Sequence, residues 1–109
     1  MTRIFKVSHT DEEIADELNL IVDLGGKVLD VQINHKVYGR MKADLGIHPR
    51  KQVQDFIEEI RSGKSSPLKN ITSNYHYHTV EADSEEVLDL IGKELNKRGY
   101  LVSPVSYTH

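Results

Sequence analysis

The spacing of apolar residues switches back and forth between two residues and three to four, and this switching constrains the fold more than any other feature of the chain. Residues 3–8, Arg-Ile-Phe-Lys-Val-Ser, are rich in β-branched and aromatic types and read as a first strand ending at His9. Thr10 with Glu13 makes a capping box. Ile14, Leu18, Ile21 and Val22 then recur at helical spacing until Gly25-Gly26, which predicts a helix over 11–24. From Lys27 the period changes to two. Leu29, Val31, Ile33 and His35 are expected on one strand face, with Asp30, Gln32 and Asn34 on the other. Gly39 breaks that run, and residues 40–47 read as the returning partner strand. Pro49 suits the first position of a second helix, whose apolar stripe is Val53, Phe56, Ile57 and Ile60, ending at Gly63.

The Ser-Gly-Lys-Ser-Ser-Pro stretch at 62–67 has the composition of a surface loop and is too short to separate domains. After Leu68 to Thr72 comes Tyr75-His76-Tyr77-His78-Thr79-Val80, a strand whose alternation puts His76, His78 and Val80 on one side. Asp83 with Glu86 is expected to cap a third helix, in which Val87, Leu90, Ile91 and Leu95 face inward before Gly99. Residues 100–105 read as a closing strand. The order β-α-β-β-α-β-α-β, without repeats, predicts one domain over 1–109: an α+β two-layer sandwich with helices on one face of a mainly antiparallel sheet.

Composition narrows the chemistry. There is no cysteine, so disulfides, thiolate metal sites and thiol nucleophiles are excluded, and a reducing cytoplasm is the expected compartment. No apolar run approaches the ~20 residues that cross a bilayer, and the first residues carry no signal-peptide pattern. Lys and Arg total 14 against 17 Asp and Glu, with no clustered basic stripe, so these residues alone are not expected to grip DNA. Gly-rich phosphate loops, metalloprotease helices and nucleophile elbows are all missing, which ranks an enzyme second. The anomaly is six histidines in 109 residues.

His76 and His78, two apart on a strand, have Cβ atoms roughly 7 Å apart on one face, a spacing at which two imidazoles can meet on one metal ion. By themselves they fit a half-exposed polar face equally well. His9 stands where the first strand hands over to the first helix, and Glu17 follows eight residues on, a little over two turns at the ~3.6-residue repeat. If that helix crosses the sheet near the His76 strand, His9 and Glu17 would complete three nitrogens and one carboxylate. In isolation, a solvated residue before the cap and a surface carboxylate are the simpler readings of the two. His35 ends the apolar face of its strand. Arg40 and Tyr38 nearby could take a small carboxylate, a guanidinium fork bidentately and a phenol as a further donor, although an ordinary hairpin with an exposed Arg accounts for them as well. His48, before Pro49, leads into a helix, and His109 is the last residue of the chain.

Together these residues resemble the three-histidine (3H) domain, the effector-binding half of niacin-responsive repressors of NAD biosynthesis. The likeness runs over nearly the whole chain: Val-Ser-His at 7–9 before an acidic helix, Gly-Gly-Lys-Val-Leu-Asp-Val at 25–31, His-Lys-Val-Tyr-Gly at 35–39, Pro-Leu at 67–68, and Tyr-His-Tyr-His-Thr-Val-Glu-Ala at 75–82. The resemblance implies an HPr-like fold, a homodimer, and a divalent transition metal, nickel or zinc first, held by His9, Glu17, His76 and His78. It further implies nicotinic acid as corepressor, with Arg40, Tyr38 and His35 as candidate contacts to it. Lys36 stands where the family is expected to carry proline, and the family's winged helix-turn-helix segment is not among these residues. DNA contact is therefore expected only through such a domain. A metal-dependent hydrolase and a metal-free amino-acid-binding sensor module are the competing readings.

Overall fold

The computed structural model describes residues 1–35, 37–62 and 75–102. Four strands, β1 (Thr2–Val7), β2 (Lys27–His35), β3 (Gly39–Ile47) and β4 (His76–Glu81), form one sheet in the order β1-β4-β2-β3. Every neighbouring pair is antiparallel. Among the described residues three helices, α1 (Ile14–Asp23), α2 (Arg50–Arg61) and α3 (Glu85–Lys97), supply the second layer. This is the expected two-layer, HPr-like α+β sandwich. Its core joins the inward residues Phe5, Val7, Val28 and Val80 of the strands to Leu18, Ile21, Val53, Leu88, Ile91 and Leu95 of the helices. Among the described residues no helix is long and apolar enough to cross a membrane.

Local chemistry sets the boundaries. A short 3-10 turn over Asp11–Glu13 precedes α1. The expected capping box is half formed: Glu13 Oε1 accepts the Thr10 N–H at 2.8 Å, and the Glu13 N–H goes to the Thr10 carbonyl. Pro49 is the N-cap of α2 rather than its first residue, with extended dihedrals. The third helix starts on Ser84, not on the Asp83–Glu86 pair. Ser84 has the extended backbone an N-cap requires, and its hydroxyl accepts the Val87 N–H. Ser84→Ala is expected to cost about 1 kcal/mol, measured by urea unfolding, with Asp83→Ala close to neutral.

Two expectations are met in part. The first concerns β2, where the buried residues are Val28, Asp30 and Ile33, while Leu29 and Val31 are only half-buried. Asp30, Gln32 and Asn34 share the expected polar face, but burial does not follow simple alternation because the pairing slips on both sides of the strand. From Val28 to Asp30 the β3 partner moves from Ile47 to Asp44, and Gly46, at φ 63°, supplies the left-handed step that a bulge of this kind uses. From Val28 to Gln32 the β4 partner moves only from Val80 to Tyr77. The second concerns the closing strand. Leu101 makes a bridge to Val7, flanked by Ser8 N–H to the Tyr100 carbonyl and Val102 N–H to the Lys6 carbonyl, so among the described residues 100–102 lie along the free edge of β1 as expected. Residues 103–105, like the expected loop from 63 and the 68–72 segment, lie outside the described residues.

Candidate metal centre

Strand alternation turns His76 and His78 of β4 into the layer between sheet and helices, with Tyr77 and Thr79 on the opposite face. The helical period does the same for Glu17, which sits beside Leu18 and Ile21 on the buried side of α1 and is fully buried, at 0% exposure. His9, just past the end of β1, folds in over them. His9 Nε2 lies 3.1 Å from Glu17 Oε1, and His78 Nε2 lies 3.4 Å from Glu17 Oε2. His76 Nε2 lies 3.2 Å from His78 Nε2. The ring of His76 is edge-on to both other imidazoles, with centroids 4.9 Å from His9 and 4.8 Å from His78.

The protons on these rings follow from their outer contacts. His9 Nδ1 faces the Thr10 carbonyl at 2.9 Å, and His78 Nδ1 faces the Asp30 carbonyl at 2.8 Å. A carbonyl only accepts, so both Nδ1 atoms carry hydrogen, and in the neutral ring the lone pair is on Nε2, aimed inward. The interior therefore collects acceptors facing acceptors. His9 Nε2 and both carboxylate oxygens of Glu17 are buried without a hydrogen-bond partner of acceptable geometry. Such an arrangement is stable around a positive charge, either a proton or a metal ion. His9, Glu17 and His76 each offer a ligand atom, all within 4.8 Å of one another, a set that could hold a metal ion. His78 adjoins that set through Glu17 and His76. Three imidazole nitrogens and one carboxylate are a donor combination suited to a first-row transition metal.

Electrostatics tie the group together. Burial opposes the charge on Glu17, yet the neighbouring His78, and then His9, hold its carboxyl below the ordinary value. Burial likewise lowers the basicity of His9 and His78, but the Glu17 carboxylate outweighs it and raises both. At His76 burial and then His78 prevail, pushing that imidazole down to about 3. Tyr100 closes the flank of the site. Its ring stands 6.0 Å from that of His9, and its hydroxyl donates to Asp16 Oδ2 at 2.7 Å, where Arg98 also binds.

Arg40, Tyr38 and His48 are not brought to this cluster. Arg40 lies on the sheet face that carries Tyr77, with its guanidinium 4.9 Å above the Tyr77 ring, and donates to Asn34 Oδ1 and Gln32 Oε1. Because Tyr77 alternates with His76 and His78, that face points away from the imidazoles. Tyr38 is exposed in the β2–β3 hairpin. His35 pairs with Gly39 across the hairpin, and its side chain lies outside the described residues. His48 serves α2: its N–H goes to Gln52 Oε1, and its Nδ1 approaches the Gly26 carbonyl. Asp30 was not singled out by sequence reasoning, which assigned it to a polar strand face. Its mid-strand position beside apolar residues was the only available signal.

Fold and site together define a small α+β domain with a buried histidine–carboxylate cluster that could hold a metal ion. The chain belongs to the 3H domain family, whose model matches residues 2–104. It is similar to the "Probable transcription repressor NiaR" of Thermotoga maritima, with 34% identity over 102 residues, covering 94% of this chain and 58% of that protein. It is also similar to the "Transcription repressor NadR" of Bacillus subtilis, with 38% identity over 100 residues, covering 92% of this chain and 56% of that protein. The chain thus spans little more than half the length of both relatives.

Proposed function

We propose that this chain is the effector-binding regulatory domain of a cytoplasmic transcription repressor of NAD biosynthesis or niacin uptake. In this reading it senses nicotinic acid as corepressor and carries a divalent transition metal, nickel or zinc, on His9, Glu17, His76 and His78. The observation that carries the reading is the buried convergence of three imidazoles on one carboxylate, with His9 Nε2 and both carboxylate oxygens lacking hydrogen-bond partners. Membership of the 3H family and the repressor names of two relatives support a regulatory role rather than the hydrolase alternative.

When bound, the metal supplies a Lewis-acidic position at which a pyridine nitrogen can bind. The chain's own part is to hold the donors. The Thr10 and Asp30 carbonyls keep two Nε2 atoms turned inward, and Glu17 supplies negative charge from a fully desolvated position. Occupancy would bias a homodimer toward the form that suits an operator, with DNA contacted through a winged helix-turn-helix domain beyond these residues.

The first test is a calorimetric titration of nicotinic acid into protein of known metal content, repeated after chelation. Saturable binding that disappears with the metal is the expected result. A protein that takes up metal but gives no heat with nicotinic acid in either state would keep the metal site and remove nicotinic acid. Steady turnover of an ester or amide would bring the hydrolase forward, and nicotinate binding unaffected by chelation would bring forward the metal-free sensor. Arg40, with Tyr38 and His35, is the other proposed contact for a small carboxylate. Since Arg40 faces away from the imidazoles, it and the metal of one chain do not take the two ends of one nicotinate: Arg40→Ala should leave metal content unchanged, weakened nicotinate binding would place the ligand on the Arg40 face, and equal affinity would remove Arg40 from the site.

A further inference from the structure

Asp30 is a carboxylate buried to 4% exposure, beyond the donor set, with both its side chain and its main chain directed at β4. Its Oδ1 accepts the backbone N–H of Thr79 at 3.0 Å, and its carbonyl faces Nδ1 of His78 at 2.8 Å. In an unbroken antiparallel ladder a strand's N–H groups are taken by carbonyls of the neighbouring strand. Here the β2–β4 register slips between Val28 and Gln32, opposite the stretch of β4 that holds His78 and Thr79. The side chain of Asp30 thus stands where a main-chain acceptor would be, and its carbonyl is left for the imidazole. From the outer face Gln32 Nε2 supports the same carboxylate, 3.3 Å from Asp30 Oδ1 and 3.2 Å from Thr79 Oγ1, while Gln32 Oε1 is held by Arg40.

We infer that Asp30 is a positioning residue for the donor set: by pinning the slipped segment of β2 to Thr79, it presents its carbonyl to His78 and thereby directs His78 Nε2 toward Glu17 and His76. This rests on the metal reading above only for its effect on affinity. The choice of His78 tautomer belongs to the protein with or without metal. An outer contact that orders a ligating imidazole typically changes metal affinity by about 10–100-fold.

Asp30→Asn keeps an oxygen at the position of Oδ1, whereas in Asp30→Ser the shorter side chain ends one bond short of Thr79. The full chain is made as wild type and both variants. Nitrogen-15 NMR of the metal-free proteins, at a pH where the imidazoles are neutral, reads which ring nitrogen of His78 carries the proton, and a nickel titration reads affinity. Wild type and Asp30→Asn should hold the proton on Nδ1 and bind nickel within about threefold of each other. Asp30→Ser should show mixed tautomers and bind at least about tenfold more weakly. The inference is overturned by a wild-type His78 protonated on Nε2, by Asp30→Ser matching wild type in both measurements, or by Asp30→Asn failing as Asp30→Ser does. The wild-type spectrum decides even if Asp30→Ser does not fold. Should wild type bind no nickel, the metal reading falls, and the tautomer comparison still judges Asp30.

Discussion

Glu17→Ala is expected to weaken nickel or zinc binding by on the order of a hundredfold or more, because loss of an outer contact alone reaches 10–100-fold and the Glu17 carboxylate faces both His9 and His78 directly. At a metal concentration 100 times the dissociation constant, binding stabilises the folded protein by about 2.7 kcal/mol. For a domain of this size that corresponds to roughly 10–20 °C in melting temperature. Wild type should therefore lose about that much on chelation, and Glu17→Ala should lose almost nothing. Comparing each protein with and without chelator separates the metal's contribution from the cost of emptying a buried position. A variant that retains stoichiometric metal and the full chelator-dependent shift would remove Glu17 from the donor set.

The second large effect is expected at Gly26. A methyl group there would lie 2.8 Å from Ile21 Cγ2, 2.9 Å from Ile91 Cδ1 and 3.0 Å from Val80 Cγ1, so α1, α3 and β4 all close on this residue. Two of those atoms are branches fixed at Cβ and cannot swing aside. Gly26→Ala should destabilise the domain by about 1–3 kcal/mol in urea unfolding. Ile91→Val removes the Cδ1 atom of the clash. The double variant should recover part of the loss, making the pair non-additive by more than about 0.5 kcal/mol. Additive effects would show that Ile91 is not what excludes a side chain at residue 26.

The donor residues were unequally legible. His76 and His78 follow from alternation alone, since a period of two needs no knowledge of neighbouring elements, and β4 keeps that period. Glu17 lay within reach of the helical period, but a carboxylate on a helix otherwise rich in acids reads as a solvated face, and only the family resemblance raised it above that. The polar stripe on β2 was legible as well, since Asp30, Gln32 and Asn34 share the face that carries Thr79 and Arg40. What alternation does not record is that Asp30 is buried on that face, because the register slips arise from pairing with β3 and β4 rather than from β2's own residues.

Local patterning specifies the types and order of the described elements, the bounds of their helices to within a few residues, and the face shared by His76 and His78. All of these rest on short-range periodicity and on caps and glycines that act within a few residues. Tertiary packing brings His9 and Glu17 to the β4 imidazoles, puts Arg40 on the opposite face, sets the Asp30 carbonyl against His78, and leaves Gly26 no space for a side chain. Each of these depends on how distant segments cross and on the pairing register of the sheet. A one-residue slip reverses which side chains are inside, and no local pattern of residues records it.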